Sequence, residues 1–221
     1  MRDARTRIKI CGITRLEDGL AAARAGADAV GFVFWPGTPR RVDPRVARDI
    51  LAALPPFITA VGLFVDPSEA EVRSVLDTVP LAALQFHGQE APAFCRRFAR
   101  PYLKALGVRA AMREAVLLEW AALYPDAAGW LFDAPPRGGL PGGTGHTFDW
   151  TALPRHLARP VVLSGGLDPG NVGAAIRTVR PWAVDVSSGV EAAGPDGKPM
   201  KGIKDAAKIA AFVREVRNAD A

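Results

Sequence analysis

Short apolar runs alternate with helix-like stretches along all 221 residues, and this alternation constrains the fold more than any other feature of the chain. Eight runs have the length and composition of β-strands: Arg7–Cys11, Asp28–Phe34, Phe57–Val65, Leu81–Phe86, Tyr102–Leu106, Trp130–Asp133, Pro160–Leu163 and Ala183–Ser187. Continuous apolar strands between helices are typical of a parallel sheet buried on both faces. Eight strand–helix units at this length favour an α/β fold of the (β/α)8 barrel (TIM barrel) type over an open, doubly wound sheet.

Local signals predict where the helices begin and end. Thr14-Arg15-Leu16-Glu17 has the form of a capping box and predicts a helix over Leu16–Ala25, ended by Gly26. Asp43-Pro44 opens a second helix to about Leu54, and Asp66-Pro67-Ser68-Glu69 opens a third. Further helices are predicted over about Ala91–Ala99, Arg109–Leu123, Trp150–Leu157, Asp168–Val179 and Lys204–Asn218. No segment has the composition of a linker, so we expect residues 1–221 to form a single barrel domain.

Charge and composition exclude several classes of function. The net charge of +5 and the calculated isoelectric point of about 9.6 suit an acidic ligand. The basic residues are dispersed rather than clustered, so no nucleic-acid partner is expected. The two cysteines cannot form a disulfide framework, and the three histidines show no metal-ligand spacing, so no metal is expected. No apolar run approaches the roughly 18 residues that span a membrane, and Met1–Arg7 is polar, so we expect a cytoplasmic protein.

Two glycine-containing segments follow the last two predicted strands. Active sites of such barrels lie at the carboxyl ends of the strands, and phosphate sites are often built after strands seven and eight. Ser164-Gly165-Gly166 and Ser187-Ser188-Gly189 fall at these two positions. Glycine lets backbone N–H groups approach a phosphate closely, although a tight turn alone would also explain each pair. The two neighbouring segments together predict a phosphate ligand.

Cys11 and Asp133 end predicted strands one and six, at the same end of the barrel. Cys11 is explained equally well as a small buried hydrophobe. Asp133 closes the apolar run Trp130-Leu131-Phe132, where a carboxylate must be paired or functional. A thiolate base and a carboxylic acid across the mouth of a barrel would form an acid/base pair. Cys95, inside a predicted helix, is assigned to packing.

Polar residues after strands two and four complete the predicted mouth. Arg40 and Arg41 flank a turn, where an arginine is suited to grip a carboxylate through two hydrogen bonds. Gln85 and His87 follow strand four and are candidates for ligand contact, although a structural hydrogen bond explains His87 at least as well. The segment Gly142-Gly143-Thr144-Gly145 is interpreted as a mobile flap over the site.

Several segments together resemble the phosphoribosylanthranilate isomerase family of tryptophan biosynthesis. They are KICGIT, GADAVGFVFWPGTPRRV, VGLFV, LQFHG, LFDA, GGTGHTFDW, LSGGLDPGNV and VDVSSGVE, which run in order from residue 9 to residue 191. The resemblance implies an Amadori rearrangement of N-(5-phosphoribosyl)anthranilate to 1-(2-carboxyphenylamino)-1-deoxyribulose 5-phosphate, with no cofactor and no metal.

The resemblance also implies residue roles. It assigns Cys11 as general base, Asp133 as general acid and Arg40 as the group that binds the anthranilate carboxylate. Gly165-Gly166 and Ser188-Gly189 correspond to the family's phosphate loops. The implied partner is a small phosphosugar-anthranilate substrate, with the chain acting as a monomer or homodimer and without nucleic acid or membrane.

Three other functions compete with this one. The histidine-pathway aldose-ketose isomerase catalyses the same type of rearrangement. That family uses two aspartates, one of them at the position where this chain has Cys11. A non-catalytic phosphate-binding barrel would keep the glycine segments and lose the acid/base pair. A flavin-binding barrel would need extra apolar length to cover the ring.

Overall fold

A computed structural model of the chain describes residues 5–109, 112–135, 145–154, 156–195 and 197–221. Eight parallel strands pair in sequence order and close into a barrel, with β8 beside β1. The strands are β1 (Arg7–Cys11), β2 (Ala29–Val33), β3 (Thr59–Phe64), β4 (Ala83–Phe86), β5 (Tyr102–Gly107), β6 (Gly129–Asp133), β7 (Val161–Leu163) and β8 (Ala183–Val186). The predicted eight-stranded (β/α)8 barrel is therefore confirmed.

Helices lie between most of the strands and after the last one. They are α1 (Leu16–Ala25), α2 (Pro44–Ala53), α3 (Glu69–Thr78), α4 (Pro92–Cys95), α5 (Glu114–Leu123), α6 (Val172–Val179) and α7 (Ala206–Asp220). None of the helices in the described ranges is long and apolar enough to cross a lipid bilayer.

The strand period of two divides each strand between the barrel interior and the helix layer. On β1, Ile8 and Ile10 join the large apolar core between strands and helices, whereas Lys9 and Cys11 point into the barrel. A smaller apolar cluster fills the interior nearer the amino ends of the strands; its members are Leu103, Ala105, Leu131, Val162 and Ala183. Interior positions above this plug, toward the carboxyl ends, are free to carry polar side chains.

The first three predicted helix starts are confirmed, and two of them have side-chain caps. The Asp43 side chain accepts a hydrogen bond from the Arg45 N–H, and Ser68 and Glu71 form a complete capping box. Helix α1 covers Leu16–Ala25 and ends at Gly26 as predicted, but it begins without a side-chain cap, so the predicted capping box is not formed. The Thr14 hydroxyl donates to the Gly202 carbonyl, 2.5 Å away, so this threonine holds a distant segment rather than its own helix.

Several predicted helices are shorter than their sequence patterns suggested. The segment over Ala91–Ala99 is a single α turn, α4, followed by a 3₁₀ turn at Arg96–Phe98. The segment over Trp150–Leu157 contains only a 3₁₀ turn at Trp150–Ala152 among its described residues. Helix α5 begins at Glu114 rather than Arg109, and α6 begins at Val172 because Asp168 closes a turn on Gly170 and Asn171 instead.

A two-stranded antiparallel sheet follows β8, where the sequence predicted only a loop and a helix start. It consists of β9 (Glu191–Ala193) and β10 (Pro199–Lys204). The predicted last helix over Lys204–Asn218 starts later, at Ala206, because Asp205 accepts hydrogen bonds from Ala207 and Lys208 as its N-cap. Lys204 therefore ends a strand whose side chains reach back to the mouth of the barrel.

A buried ion pair anchors the loop after β4. The Lys104 ammonium lies 2.7 Å from Glu90 Oε2 and donates to the Gly88 carbonyl at the same distance. The other carboxylate oxygen of Glu90 accepts from the backbone N–H groups of Asp66 and Gly88. Since His87 precedes Gly88, this cluster fixes a residue of the predicted site from behind.

Replacing Lys104 by methionine leaves the Glu90 carboxylate buried without its cation. We expect Lys104→Met to lower the free energy of unfolding by about 3–5 kcal/mol, the usual cost of breaking a buried pair. Urea unfolding followed by circular dichroism measures the loss. Exposed Lys201 provides the matched control, because Lys201→Met is expected to change stability by less than about 0.5 kcal/mol. Equal stabilities for the two variants would contradict the assignment.

Candidate active site

A cleft opens at the carboxyl ends of the strands and encloses about 670 Å³, part of it open to solvent. Eight of the nine residues predicted from the sequence line it: Cys11, Arg40, Gln85, His87, Asp133, Gly165, Gly166 and Ser188. Gly189 lies directly behind Ser188 and packs on the Leu167 carbonyl rather than facing the cleft.

Cys11 ends β1 with its side chain inside the barrel and only 5 % of the residue exposed. Gly31 lies opposite it on β2, and a Cβ atom at Gly31 would stand 2.8 Å from the sulfur, so glycine makes room for the thiol. Burial raises the pKa of the Cys11 thiol above its ordinary value. Lys9 lowers that pKa by charge and hydrogen bonding, but burial remains the larger effect. Lys9 thus places a positive charge near the thiol, but this charge does not bring the pKa of Cys11 below its ordinary value.

Asp133 ends β6 and is 2 % exposed. One carboxylate oxygen, Oδ1, accepts a hydrogen bond of 2.7 Å from the Ala134 N–H. The other, Oδ2, lies 3.1 Å from His87 Nε2, although not along a good hydrogen-bond direction. Gly165 supports the carboxylate from the neighbouring loop, since a Cβ there would lie 2.9 Å from Oδ1.

Gln85 and His87 form a short polar row from β4 toward Asp133. The Gln85 side-chain nitrogen lies 3.0 Å from His87 Nδ1. An amide N–H donated to Nδ1 places the imidazole proton on Nε2, the atom that faces Asp133. The two residues therefore orient the carboxyl group and line the cleft at the same time.

Arg40 is held by a partner that the sequence analysis did not identify. Its Nε and Nη2 atoms donate to the two carboxylate oxygens of Glu191 at 2.7 and 3.0 Å, and both side chains are buried. The Lys204 ammonium approaches the same carboxylate at 3.4 Å and donates to the Ser187 carbonyl at 3.0 Å. Glu191 thus takes one two-nitrogen edge of the guanidinium, while Arg40 itself still borders the cleft.

The charges of this cluster determine its protonation. Burial alone would raise the pKa of Glu191, but Arg40 and Lys204 outweigh burial and hold it below its ordinary value. Burial lowers the pKa of Lys204, and the nearby Arg40 charge adds to this, while Glu191 opposes both. The β9–β10 hairpin carries Glu191 and Lys204. No sequence pattern indicated that a segment beyond β8 would return to the mouth of the barrel.

Close packing of three loops explains the glycines after β7. Gly165 and Gly166 have φ angles of 87° and 62°, in the left-handed region that favours glycine. A Cβ on Gly165 would collide with the Ala134 N–H, and one on Gly166 with the His146 carbonyl. These glycines are thus required by the fold as well as suited to a phosphate.

Two predicted features lie elsewhere. Cys95 is buried in the core and its thiol pKa is raised to about 11, chiefly by burial, consistent with packing. Residues 142–144 of the predicted flap lie outside the described residues. Within the ranges that the structure describes, no group of three or more His, Cys, Asp or Glu side chains is arranged to hold a metal ion.

Removing the charge of Glu191 should destabilise the buried cluster. At pH 7 we expect Glu191→Gln to unfold more easily than the wild type by about 3–5 kcal/mol, because Arg40 and Lys204 then face each other without a carboxylate. Since the folded pKa of Glu191 is depressed, its contribution is present above the unfolded value near 4.5 and is lost as pH falls. Urea unfolding should show that the difference in free energy of unfolding between the wild type and Glu191→Gln narrows below about pH 4.5.

Exposed Glu119 provides the control for this experiment, since Glu119→Gln should unfold with the wild type at each pH. A stability difference between the wild type and Glu191→Gln that does not change with pH would mean that the charge of Glu191 is not what stabilises the cluster.

Comparison with known proteins agrees with this arrangement. The model of the N-(5'-phosphoribosyl)anthranilate (PRA) isomerase family matches residues 8–215. The chain is 55 % identical over 217 residues to the N-(5'-phosphoribosyl)anthranilate isomerase of Azotobacter vinelandii, covering 98 % of this chain and 100 % of that protein. The solved phosphoribosyl anthranilate isomerase of Thermotoga maritima superposes with a TM-score of 0.84 at 41 % identity, over 96 % and 99 % of the two chains.

A further solved relative is an isomerase in complex with reduced 1-(o-carboxyphenylamino)-1-deoxyribulose 5-phosphate. It is 39 % identical, with a TM-score of 0.78 and coverage of 96 % of this chain and 99 % of that one. The chain belongs to the N-(5'-phosphoribosyl)anthranilate isomerase family.

Proposed function

We propose that this chain catalyses the Amadori rearrangement of N-(5-phosphoribosyl)anthranilate to 1-(2-carboxyphenylamino)-1-deoxyribulose 5-phosphate, a step of tryptophan biosynthesis. One observation carries the residue-level proposal: a buried thiol on β1 and a buried carboxyl group on β6 face the same cleft from different walls. An aldose-to-ketose rearrangement needs an acid that opens the sugar ring and a base that takes a proton from carbon. The Asp133 carboxyl group can supply the acid and the Cys11 thiolate the base.

The acid step falls to Asp133. In its protonated form, this carboxyl group donates to the ribose ring oxygen, the bond from that oxygen to C1 breaks, and C1 becomes the carbon of a Schiff base. The Ala134 N–H holds Oδ1 by a hydrogen bond, and the His87 ring lies against Oδ2, which supports this orientation. The Asp133 carboxylate remains after the transfer.

The base step falls to Cys11. Its thiolate takes the proton from C2 of the sugar, and the C2–H electron pair forms the double bond of an enolamine while the Schiff-base nitrogen is neutralised. The enolamine then tautomerises to the ketone at C2, with a proton added at C1. A sulfur with about 5 % exposure can carry out this transfer away from bulk water.

The substrate has two anionic ends, a phosphate and a carboxylate, and two sides of the cleft are suited to bind them. We place the phosphate against the loops of Gly165-Gly166 and Ser188-Gly189, where close packing exposes backbone rather than side chains. We place the anthranilate carboxylate against Arg40, which borders the cleft. The reduced product analogue bound by the solved relative carries the same two anionic ends.

The proposal includes where and with what the chain works. We propose a small-molecule substrate as its only required partner and the cytoplasm as its location, because a catalytic thiol is kept reduced there. The chain acts as a monomer or a homodimer, which light scattering of the purified protein distinguishes.

Substituting the two proposed catalytic groups tests their roles. We expect Cys11→Ala and Asp133→Asn each to lower kcat/KM by about 10²–10⁴-fold, the usual contribution of a general acid or base. The assay follows loss of substrate fluorescence, with the unstable substrate made in situ from anthranilate and phosphoribosyl pyrophosphate by a transferase. Cys95→Ala is the matched control and should retain wild-type activity, because Cys95 only packs in the core.

Absence of turnover in the folded wild type would favour the binding-barrel alternative. Full activity of either variant would refute the role of that residue alone.

The pH dependence of kcat/KM tests the identity of the base. Burial raises the pKa of Cys11 above its ordinary value, and the base must be deprotonated to act. The rate should therefore rise with pH from 7 to about 9, as the thiolate fraction grows. A profile that is flat over this range in the wild type, with an unchanged rate-limiting step, would contradict a thiolate base.

A further inference from the structure

We infer that Lys9 is a positioning residue whose buried ammonium group, paired with Asp185, favours the thiolate form of Cys11 against the effect of burial. This inference rests on the proposed function only for its consequence in catalysis. The claim about the thiol itself stands on the geometry of β1, β2 and β8 and is tested separately.

Strand register brings the three groups together inside the barrel. Lys9 and Cys11 are two residues apart on β1, so both side chains point to the same interior face. Lys9 is paired in register with Asp185 on β8, and Cys11 with Gly31 on β2. A Cβ on Gly31 would lie 2.8 Å from the sulfur and 3.0 Å from the Lys9 nitrogen, so both atoms occupy the space that this glycine leaves.

The Lys9 ammonium lies between the Asp185 carboxylate and the Cys11 sulfur, which is an anion only when it is deprotonated. Its nitrogen lies 2.8 Å from Asp185 Oδ1, and each of the two side chains is 5 % exposed. The same nitrogen and the Cys11 sulfur both border the space that Gly31 leaves on β2. Burial alone would lower the pKa of Lys9, but Asp185 and Cys11 outweigh burial and raise it, so Lys9 is held as a cation.

Every charged group near the sulfur acts in a direction that the geometry predicts. Lys9, on the same strand, favours the thiolate most, and the Lys204 ammonium, from β10, favours it more weakly. Asp185, from β8, disfavours it. Asp133 and His87 face the sulfur's side of the cleft from β6 and the loop after β4. Lys9 is therefore the principal group that offsets the burial of Cys11.

A purely structural role would not require these residue types. Apolar residues fill the neighbouring interior positions, with Ala183 two residues before Asp185 and Val162 beside it on β7. A buried ion pair is often no more stabilising than apolar residues of similar volume. A cation directly beside a thiol at the carboxyl end of a strand is instead how proteins favour a thiolate.

The test measures the ionisation of Cys11 in the folded free protein, without substrate. The rate of alkylation by iodoacetamide, a neutral probe, is measured against pH in a Cys95→Ala background, where Cys11 is the remaining thiol. We expect Lys9→Met to move the midpoint upward by about one pH unit or more, a tenfold loss of thiolate at a fixed lower pH. Lys201→Met, on the surface of β10, is the control and should leave the midpoint unchanged.

Asp185→Asn gives the discriminating second measurement. Removing this carboxylate removes the charge that disfavours the thiolate, so its midpoint should move downward, opposite to that of Lys9→Met. Loss of a merely structural pair would affect both variants in the same direction. A Lys9→Met midpoint within about 0.3 units of the parent, or an Asp185→Asn midpoint that rises, would overturn the inference. If Lys9→Met does not fold, the Asp185→Asn result decides alone.

Isomerase assays of the same variants separate this inference from the proposed function. If both hold, the rising limb of kcat/KM in Lys9→Met moves to higher pH together with the alkylation midpoint, while KM changes little. Shifted alkylation midpoints in a protein that does not turn over phosphoribosylanthranilate would refute the proposed function and leave the role of Lys9 toward the thiol intact. Turnover with unshifted midpoints would refute the inference alone.

Discussion

In a closed barrel of eight parallel strands, every second side chain points inward, and this alternation decides which residues can meet. The pairing of Lys9 with Asp185 and of Cys11 with Gly31 follows from the register of β1 with its two neighbours. A slip of one residue would send Ile8 and Ile10 into the barrel and Cys11 into the helix layer. The apolar cores on both faces fix the register, and the chemistry of the mouth depends on it.

Among the described residues, three buried clusters pair a lysine or arginine with a carboxylate. Lys9 with Asp185, Lys104 with Glu90, and Arg40 and Lys204 with Glu191 are three such groups, each with hydrogen bonds that satisfy the carboxylate. The three clusters have different roles in the structure. Lys104 fixes the loop of His87 from outside the strands, the Glu191 cluster fixes Arg40 from the hairpin after β8, and Lys9 acts directly beside the sulfur.

The same packing that closes the mouth also explains residues that sequence motifs attribute to a ligand. Gly165 touches the Asp133 carboxyl group and the Ala134 N–H, so it supports the acid as well as the loop. Gln85 is fully buried and contacts His87, which in turn faces Asp133. Binding and positioning are therefore combined in single residues, since a cleft bounded by eight strand ends has little room for separate groups.

The sequence by itself determined the barrel, the order of its strands and most of the mouth, because apolar periodicity and helix caps such as Asp43 and Ser68 are local properties. It also indicated Cys11 and Asp133, since each ends an apolar run where the fold places chemistry. Only the tertiary structure decided that Glu191 and Lys204 return to the side of Arg40 and that Asp185 pairs with Lys9. The Arg40–Glu191 and Lys9–Asp185 contacts join residues 151 and 176 positions apart through a hairpin and strand closure, which no local pattern encodes.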